Sequence, residues 1–271
     1  MKLYQEIKTS RELIRNLTLR EIRGKYKRTL LGQGWSLLNP IAQMIVFTLV
    51  FGLVLKAKPD PGDPSGLDIF ALWIACGLLP WGLFSNALNT GMGSLLGNAG
   101  LVQKVYFPRW ILVFSTVAAA VVNFMFELAV LTIAVVVFGG NPFVQLWLAL
   151  IVTLMLGLFA FGLALALSVL SVYFRDITHL MGIIMQVWFY ATPIVYPLKL
   201  VHDSTAGMPW IQTIYGLNPM VRFVDCYRAI FYDNTWPAIE DFGGALIATV
   251  VSLGIGWWVF SSKQDRLSEE L

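Results

Sequence analysis

The chain has 271 residues, of which 57% are hydrophobic and 13% charged, and a formal net charge of +3; its mean hydropathy is +0.70. A water-soluble domain carries about a quarter charged residues, so the polar surface that would cover a soluble globule is missing. An integral membrane protein is implied, with lipid replacing water around most of the surface. The two cysteines, Cys76 and Cys226, are too few for a disulfide framework and have no metal-ligand spacing.

In residues 1–34, Leu19, Ile22, Tyr26 and Leu30 recur at three- and four-residue spacing, and Ile14 and Leu17 extend the pattern upstream. This predicts an amphipathic helix on the inner membrane surface, held to anionic headgroups. Between Arg20 and Arg28 lie five basic residues, Arg20, Arg23, Lys25, Lys27 and Arg28, offset only by Glu21. Two readings stand side by side: these charges only keep the amino terminus inside, or the helix also docks a cytoplasmic partner. No apolar h-region precedes a small-residue cleavage site, so no cleavable leader is expected and the first span directs insertion.

Residues 35–271 form the membrane domain. A bilayer core about 30 Å thick needs ~20 apolar helical residues, and six stretches are predicted as spans: 35–55, 69–88, 110–138, 143–172, 178–196 and 242–260. Pro80 in the second and Pro193 near the end of the fifth are each expected to kink a helix. Residues 207–235 are apolar, but Asn218-Pro219 breaks them into two pieces too short to cross. They are predicted as a re-entrant helical pair whose backbone is satisfied against protein or a wet cavity. The fold class is thus an all-α integral membrane protein with six transmembrane helices, an N-terminal amphipathic interface helix and an external re-entrant helical pair between spans five and six.

With six spans, 14 of the 19 Lys and Arg fall on the amino-terminal side, which puts both termini in the cytoplasm of a multi-pass plasma (inner) membrane protein. Trp35, Trp110, Trp257 and Trp258 then fall at the inner boundary, and Trp73, Trp147 and Trp236 at the outer one.

"YKRTLLGQGWSLLNP" (Tyr26 to Pro40) closely resembles the start of the first span in ABC-2 type permeases that export polysaccharides and teichoic acids. "NAGLVQKVYFPR" (Asn98 to Arg109), "YFRDI" (Tyr173 to Ile177) and "YGLNP" (Tyr215 to Pro219) are similar to later segments of that family, in the right order over nearly the whole chain. The stretch after Phe107-Pro108-Arg109 departs from the pattern by lacking a further proline.

The resemblance implies a homodimer of six-span subunits with two copies of a separate ABC ATPase, exporting a lipid-linked polymer, either wall teichoic acid or an O-antigen-like polysaccharide. The chain has no G-x-x-x-x-G-K-[ST] phosphate loop, so it is not itself the ATPase. No cofactor or metal is expected in it, ATP and magnesium being bound by the partner, and no nucleic-acid partner is expected. It must receive mechanical work through its cytoplasmic surfaces.

Gly97–Arg109 is the candidate coupling segment, with Asn98, Leu101, Lys104, Tyr106, Phe107, Pro108 and Arg109 as its residues. Val102 and Val105 are expected to help Tyr106 and Phe107 fill a groove on the ATPase. Arg175 and Asp176 are either a second contact or a capped helix end. The interface helix, through Arg20, Arg23, Lys25, Tyr26, Lys27 and Arg28, is expected to form a collar around the ATPase.

Sugars commonly stack on aromatic faces, so Phe47, Phe51, Trp81, Phe84, Trp188, Phe189 and Tyr190 are conduit candidates. Glu127, the acidic residue well inside a span, faces protein or water. It serves the conduit or dimer seam, or else acts as polar glue between helices, with Asn123 one turn earlier able to share a hydrogen bond. Tyr215, Asn218, Pro219, Arg222, Asp225 and Arg228 are gate candidates; the plainer reading of the charged three is an ion-pair ladder along one helix. An intramembrane glycolipid-modifying enzyme would want clustered carboxylates or histidines, but His179 and His202 lie far apart. A secondary transporter would want an internal repeat, and none is seen.

Overall fold

A computed structural model describes residues 10–25, 32, 34–54, 60–105, 107–197, 208–264 and 267. The predicted residues Tyr26, Lys27, Arg28 and Tyr106 lie outside these. Among the described residues the chain is all helix, with no strand. The elements are α1 (Arg11–Lys25), α2 (Gly34–Phe47, continued by a π-helical stretch Thr48–Val54), α3 (Phe70–Gly97), α4 (Ala99–Lys104) and α5 (Trp110–Val137). Then come α6 (Leu146–Tyr173), α7 (Ile177–Tyr190), α8 (Pro209–Leu217), α9 (Pro219–Arg228, continued by a π turn Ala229–Asp233) and α10 (Ile239–Lys263).

Four helices, α3, α5, α6 and α10, are long and apolar enough to cross a membrane, and two shorter apolar helices are Ile41–Val54 and Ile177–Tyr190. The chain is a multi-pass membrane protein. Helix α3 runs past the predicted end at residue 88 to Gly97; Asn89, Thr90 and Ser94 in its last turns bond back to their own helix and cost it little. Pro80 lies inside α3 as expected. The expected kink at Pro193 does not form, because α7 already ends at Tyr190. The chain from Ala191 to Pro197 is irregular.

α6 is the central helix, packed on α3, α5, α9 and α10. Water gives no driving force between helices in lipid, so close approach through small residues takes its place. A Cβ on Gly256 of α10 would collide with the Gly162 carbonyl oxygen, and one on Gly162 would meet Ser252 at 2.5 Å. At this crossing the Ser252 hydroxyl donates to the Phe159 carbonyl at 2.7 Å. On the other side of α6, the Ser171 hydroxyl donates to the Met92 carbonyl of α3 at 3.1 Å.

α5 ends at Gly139, whose φ of +95° suits a residue without Cβ. The Gly140 amide then donates to the Val135 carbonyl at 2.9 Å, satisfying one of the helix's last acceptors.

α1 is amphipathic as predicted. Leu17 is buried and Leu13 and Ile14 pack against the core, while Arg20 and Arg23 are exposed. It lies along α5. Its Arg20 donates to the Asn98 side-chain oxygen at 2.7 Å, and Arg109, just ahead of α5, donates to the Gln264 carbonyl beyond α10. The interface helix, the 98–109 segment and the carboxyl end of α10 therefore gather at one end of the bundle. Trp110 and Trp257 meet at that end with ring centroids 6.4 Å apart, and Trp147 and Trp236 meet at the opposite end at 6.0 Å.

Candidate functional site: an aromatic cleft, its hairpin brace and a coupling face

Helices α2, α3 and α7 enclose an open cleft of about 540 Å³. Each contributes a polar and an aromatic residue four positions apart: Gln43 and Phe47, Ser85 and Trp81, Gln186 and Tyr190, with Phe189 beside them. The i, i+4 spacing puts the members of each pair on one helix face. Phe189 bridges the walls, with its ring 6.1 Å from Phe47 and 5.5 Å from Trp81.

Of the seven predicted aromatics, Phe47, Trp81, Phe189 and Tyr190 line this cleft. Phe84 is fully buried behind it, packed on Phe159 at 5.4 Å and on Trp188 at 5.1 Å, and so belongs to the core. Phe51 packs on Phe47 at 6.0 Å. Trp188 faces a second, apolar recess with Asn218 and Pro219. The sequence reading missed Gln43, Ser85 and Gln186; the signal was the uncharged polar residue one turn from an aromatic in otherwise apolar helices.

The hairpin of α8 and α9 is fastened to this wall. Asn218 caps α9, its Oδ1 accepting from the Met220 amide at 3.0 Å, with Pro219 preset at the first helical position. The same Oδ1 accepts from Trp188 Nε1 at 2.8 Å, while Nδ2 donates to the Ala191 carbonyl and the Thr192 hydroxyl, both at 3.0 Å. The Tyr215 and Tyr196 hydroxyls are 2.8 Å apart. One residue thus serves as cap and as clamp on the end of α7.

The predicted ladder of Arg222, Asp225 and Arg228 is split. Arg222 pairs with Asp241 of α10 at 2.7 Å, whereas Asp225 lies 3.8 Å from Arg228. Arg228 is 8% exposed, donates to the carbonyls of Pro193 and Ile194 at 2.7 and 3.1 Å, and lies 3.9 Å over the Trp73 ring. Trp73 is 5% exposed beneath that guanidinium. Desolvating a cation is offset only by dense pairing of this kind. The result is a brace joining α9, α3 and the end of α7.

At the other end, Asn98 ties the segment predicted to couple inward, its Nδ2 donating to the Ser94 carbonyl at 2.8 Å while its Oδ1 receives Arg20. Val102, expected to fill a groove on a partner, is 5% exposed and packs into the chain's own core. Lys104 and Val105 are exposed, Leu101 and Phe107 pack partly against the core, and Pro108 and Arg109 are half-buried. Arg175 and Asp176 are exposed. Asp176 stands at the N-cap of α7, but its side chain makes no cap bond. Within α5, Glu127 is half-buried and Asn123 is buried at 6% exposure. Among the described residues no group of His, Cys, Asp and Glu could hold a metal ion.

The profile of the ABC-2 type transporter family matches residues 12–232. The chain is 30% identical over 271 residues, the full length of both chains, to the O-antigen export system permease protein RfbA of Myxococcus xanthus. It is 26% identical to the protein of that name from Klebsiella pneumoniae, over 96% of this chain and 95% of that one. It is 25% identical to the polysialic acid transport protein KpsM of Escherichia coli, over 93% of each. With a helical membrane bundle and a match over most of its length, the chain belongs to the ABC-2 type transporter family, as a membrane permease subunit rather than an enzyme.

Proposed function

We propose that this permease carries a lipid-linked, O-antigen-like polysaccharide from the cytoplasmic to the outer side of the plasma membrane. It does so as a homodimer driven by two copies of a separate ABC ATPase that binds the ATP and magnesium. The observation that carries the reading is the cleft between α2, α3 and α7, where aromatic faces alternate with amide and hydroxyl groups. Aromatic faces suit the apolar faces of sugar rings, and Gln43, Ser85 and Gln186 supply neutral hydrogen-bond partners for hydroxyls. Among the described residues the lining holds none that is charged, which favours uncharged sugars over the phosphates of a teichoic acid. The names of the similar proteins, O-antigen and polysialic acid exporters, support a polysaccharide substrate.

In this reading all six apolar helices span, α2 with its π-helical extension and α7 together with the irregular chain after it, and both termini are cytoplasmic. The basic residues support that orientation, and the tryptophan pairs at each end suit the two membrane boundaries. α8 and α9 form the external re-entrant pair, and Arg222, Asp225 and Arg228 hold its position relative to α10, α3 and α7. The cytoplasmic face offers Lys104, Val105, Arg175 and Asp176 to the ATPase. The Arg20–Asn98 bond supports a reading in which α1 and the coupling segment move together. Depleting the permease tests the reading: lipid-linked polysaccharide should accumulate on the inner leaflet and vanish from the cell surface. Unchanged surface polysaccharide with no such accumulation would overturn it.

A further inference from the structure

α7 stops at Tyr190, although the chain stays largely apolar as far as Tyr196. Pro193 accounts for the stop, since it has no N–H to offer the Phe189 carbonyl and disfavours helical backbone at Thr192. The Thr192 amide turns back to the Phe189 carbonyl at 3.2 Å. The Ile194 amide, which a continued helix would have given to the Tyr190 carbonyl, goes to the Thr192 carbonyl at 2.7 Å. The Tyr190 carbonyl has thus lost its helical donor.

A side chain replaces that donor. The Tyr196 hydroxyl donates to the Tyr190 carbonyl at 2.5 Å and lies 2.8 Å from the hydroxyl of Tyr215 on α8. A phenol has one proton and a carbonyl can only accept, so Tyr215 is the donor in the second bond. The relay therefore runs from Tyr215 through Tyr196 to the last residue of α7. Other carbonyls after α7 are also held by the hairpin, that of Ala191 by Asn218 and those of Pro193 and Ile194 by Arg228. The Tyr196 bond differs from these, because its acceptor belongs to a residue that lines the aromatic cleft. The Tyr190 ring packs edge-on against Phe189 of the same cleft, with centroids 5.2 Å apart.

We infer that Tyr196 is a positioning residue for sugar binding: by holding the Tyr190 carbonyl it fixes where the Tyr190 ring stands in the cleft wall, and Tyr215 orients its hydroxyl for that bond. Tyr196 itself is not among the residues lining the cleft, so it acts through Tyr190 and not by touching substrate. Without the bond, the last turn of α7 frays and the ring loses its fixed place beside Phe189. The inference rests on the reading that the polysaccharide passes this cleft.

The test uses the full chain in complex with its ATPase, reconstituted in vesicles, with export measured against the concentration of the lipid-linked polysaccharide that accumulates on permease depletion. Tyr190→Ala should raise KM about tenfold, the scale of one aromatic contact. Tyr196→Phe should raise it about fivefold, the equivalent of one neutral hydrogen bond, with kcat per folded complex unchanged. Tyr215→Phe leaves the Tyr196 proton on the Tyr190 carbonyl and should stay close to wild type. In a Tyr190→Ala background, Tyr196→Phe should add nothing, because the ring it positions is gone. A raised KM for Tyr190→Ala with an unchanged KM for Tyr196→Phe would overturn the inference and leave the reading of the cleft intact. An unchanged KM for Tyr190→Ala would overturn both. The same rise for Tyr196→Phe with and without the Tyr190 ring, or a Tyr196→Phe complex that fails to assemble, would reduce the hydroxyl to a structural role and overturn the inference alone.

Discussion

The indole nitrogen of Trp188 donates to the side-chain oxygen of Asn218 at 2.8 Å, joining the helix that bears Gln186, Phe189 and Tyr190 to the corner of the α8–α9 hairpin. That oxygen also caps α9, so α7 and the first turn of α9 are joined through a single amide group.

Replacing Asn218 removes cap and clamp together. Asn218→Ala should cost about 2–4 kcal/mol, the loss of an N-cap plus an unpaired indole N–H. Asn218→Asp keeps the acceptor for Met220 and Trp188 and should lose about 1 kcal/mol with the donor to Ala191. Thermal unfolding of the purified complex in detergent gives the ranking. Equal stability for Asn218→Ala and wild type would refute the clamp.

If substrate passes the cleft as proposed, residues lining it and residues packed behind it should behave differently. Gln43→Ala and Gln186→Ala should each slow ATP-driven export about fivefold, near 1 kcal/mol for one neutral hydrogen bond, with little change in stability. Phe84→Leu, behind the cleft, should lower stability by about 1 kcal/mol and leave the export rate per folded complex unchanged. Reconstituted transport and unfolding curves, measured on the same preparations, distinguish the two behaviours.

The crossing of α6 and α10 gives a steric prediction. A Cβ on Gly256 would meet backbone atoms of Gly162, whereas one on Gly254 meets nothing within 4 Å. Gly256→Ala should force the helices apart and cost about 2–4 kcal/mol, in the range of overpacking a core. Gly254→Ala should be neutral or stabilising by a few tenths to about 1 kcal/mol. Differential scanning fluorimetry of the two variants is sufficient, and equal effects would contradict the crossing.

The proposed coupling makes use of the bond from Arg20 to Asn98. An exposed contact of this kind contributes at most about 1 kcal/mol to stability, so Arg20→Gln and Asn98→Ala should fold normally. Each should lower the amount of polysaccharide exported per ATP hydrolysed, because the interface helix and the coupling segment would no longer move together. Parallel measurement of phosphate release and export checks this. An unchanged ratio would restrict Arg20 to a role in insertion.

Apolar runs long enough to cross lipid, the amphipathic repeat that begins at Ile14 and Leu17, and the Asn218-Pro219 break were legible, because each is a local pattern along the chain. Contacts between helices were not. Arg222 appears in sequence to pair within its own helix, yet its partner Asp241 lies on α10, and no periodicity within α9 could reveal it. Trp73 has the composition of an interfacial anchor, but the buried Arg228 above it sets its role. Val102 seemed available to a partner until its burial was seen. The aromatic set was found, but not the amide and hydroxyl groups between its rings, since a lone Gln or Ser in an apolar helix carries little signal until three helices bring them to one cleft.

The central claim is that the exported polysaccharide passes the cleft between α2, α3 and α7. Both native cysteines are free and buried, which permits site-specific labelling with a thiol-reactive photo-crosslinker. Gln186→Cys and, as a control on the outward face of α10, Val250→Cys are the variants to label in an actively exporting complex. Crosslinks between lipid-linked polysaccharide and Gln186→Cys that require ATP, with none at Val250→Cys, are the predicted result. Sustained export with polysaccharide crosslinked at Val250→Cys and absent from Gln186→Cys would contradict it.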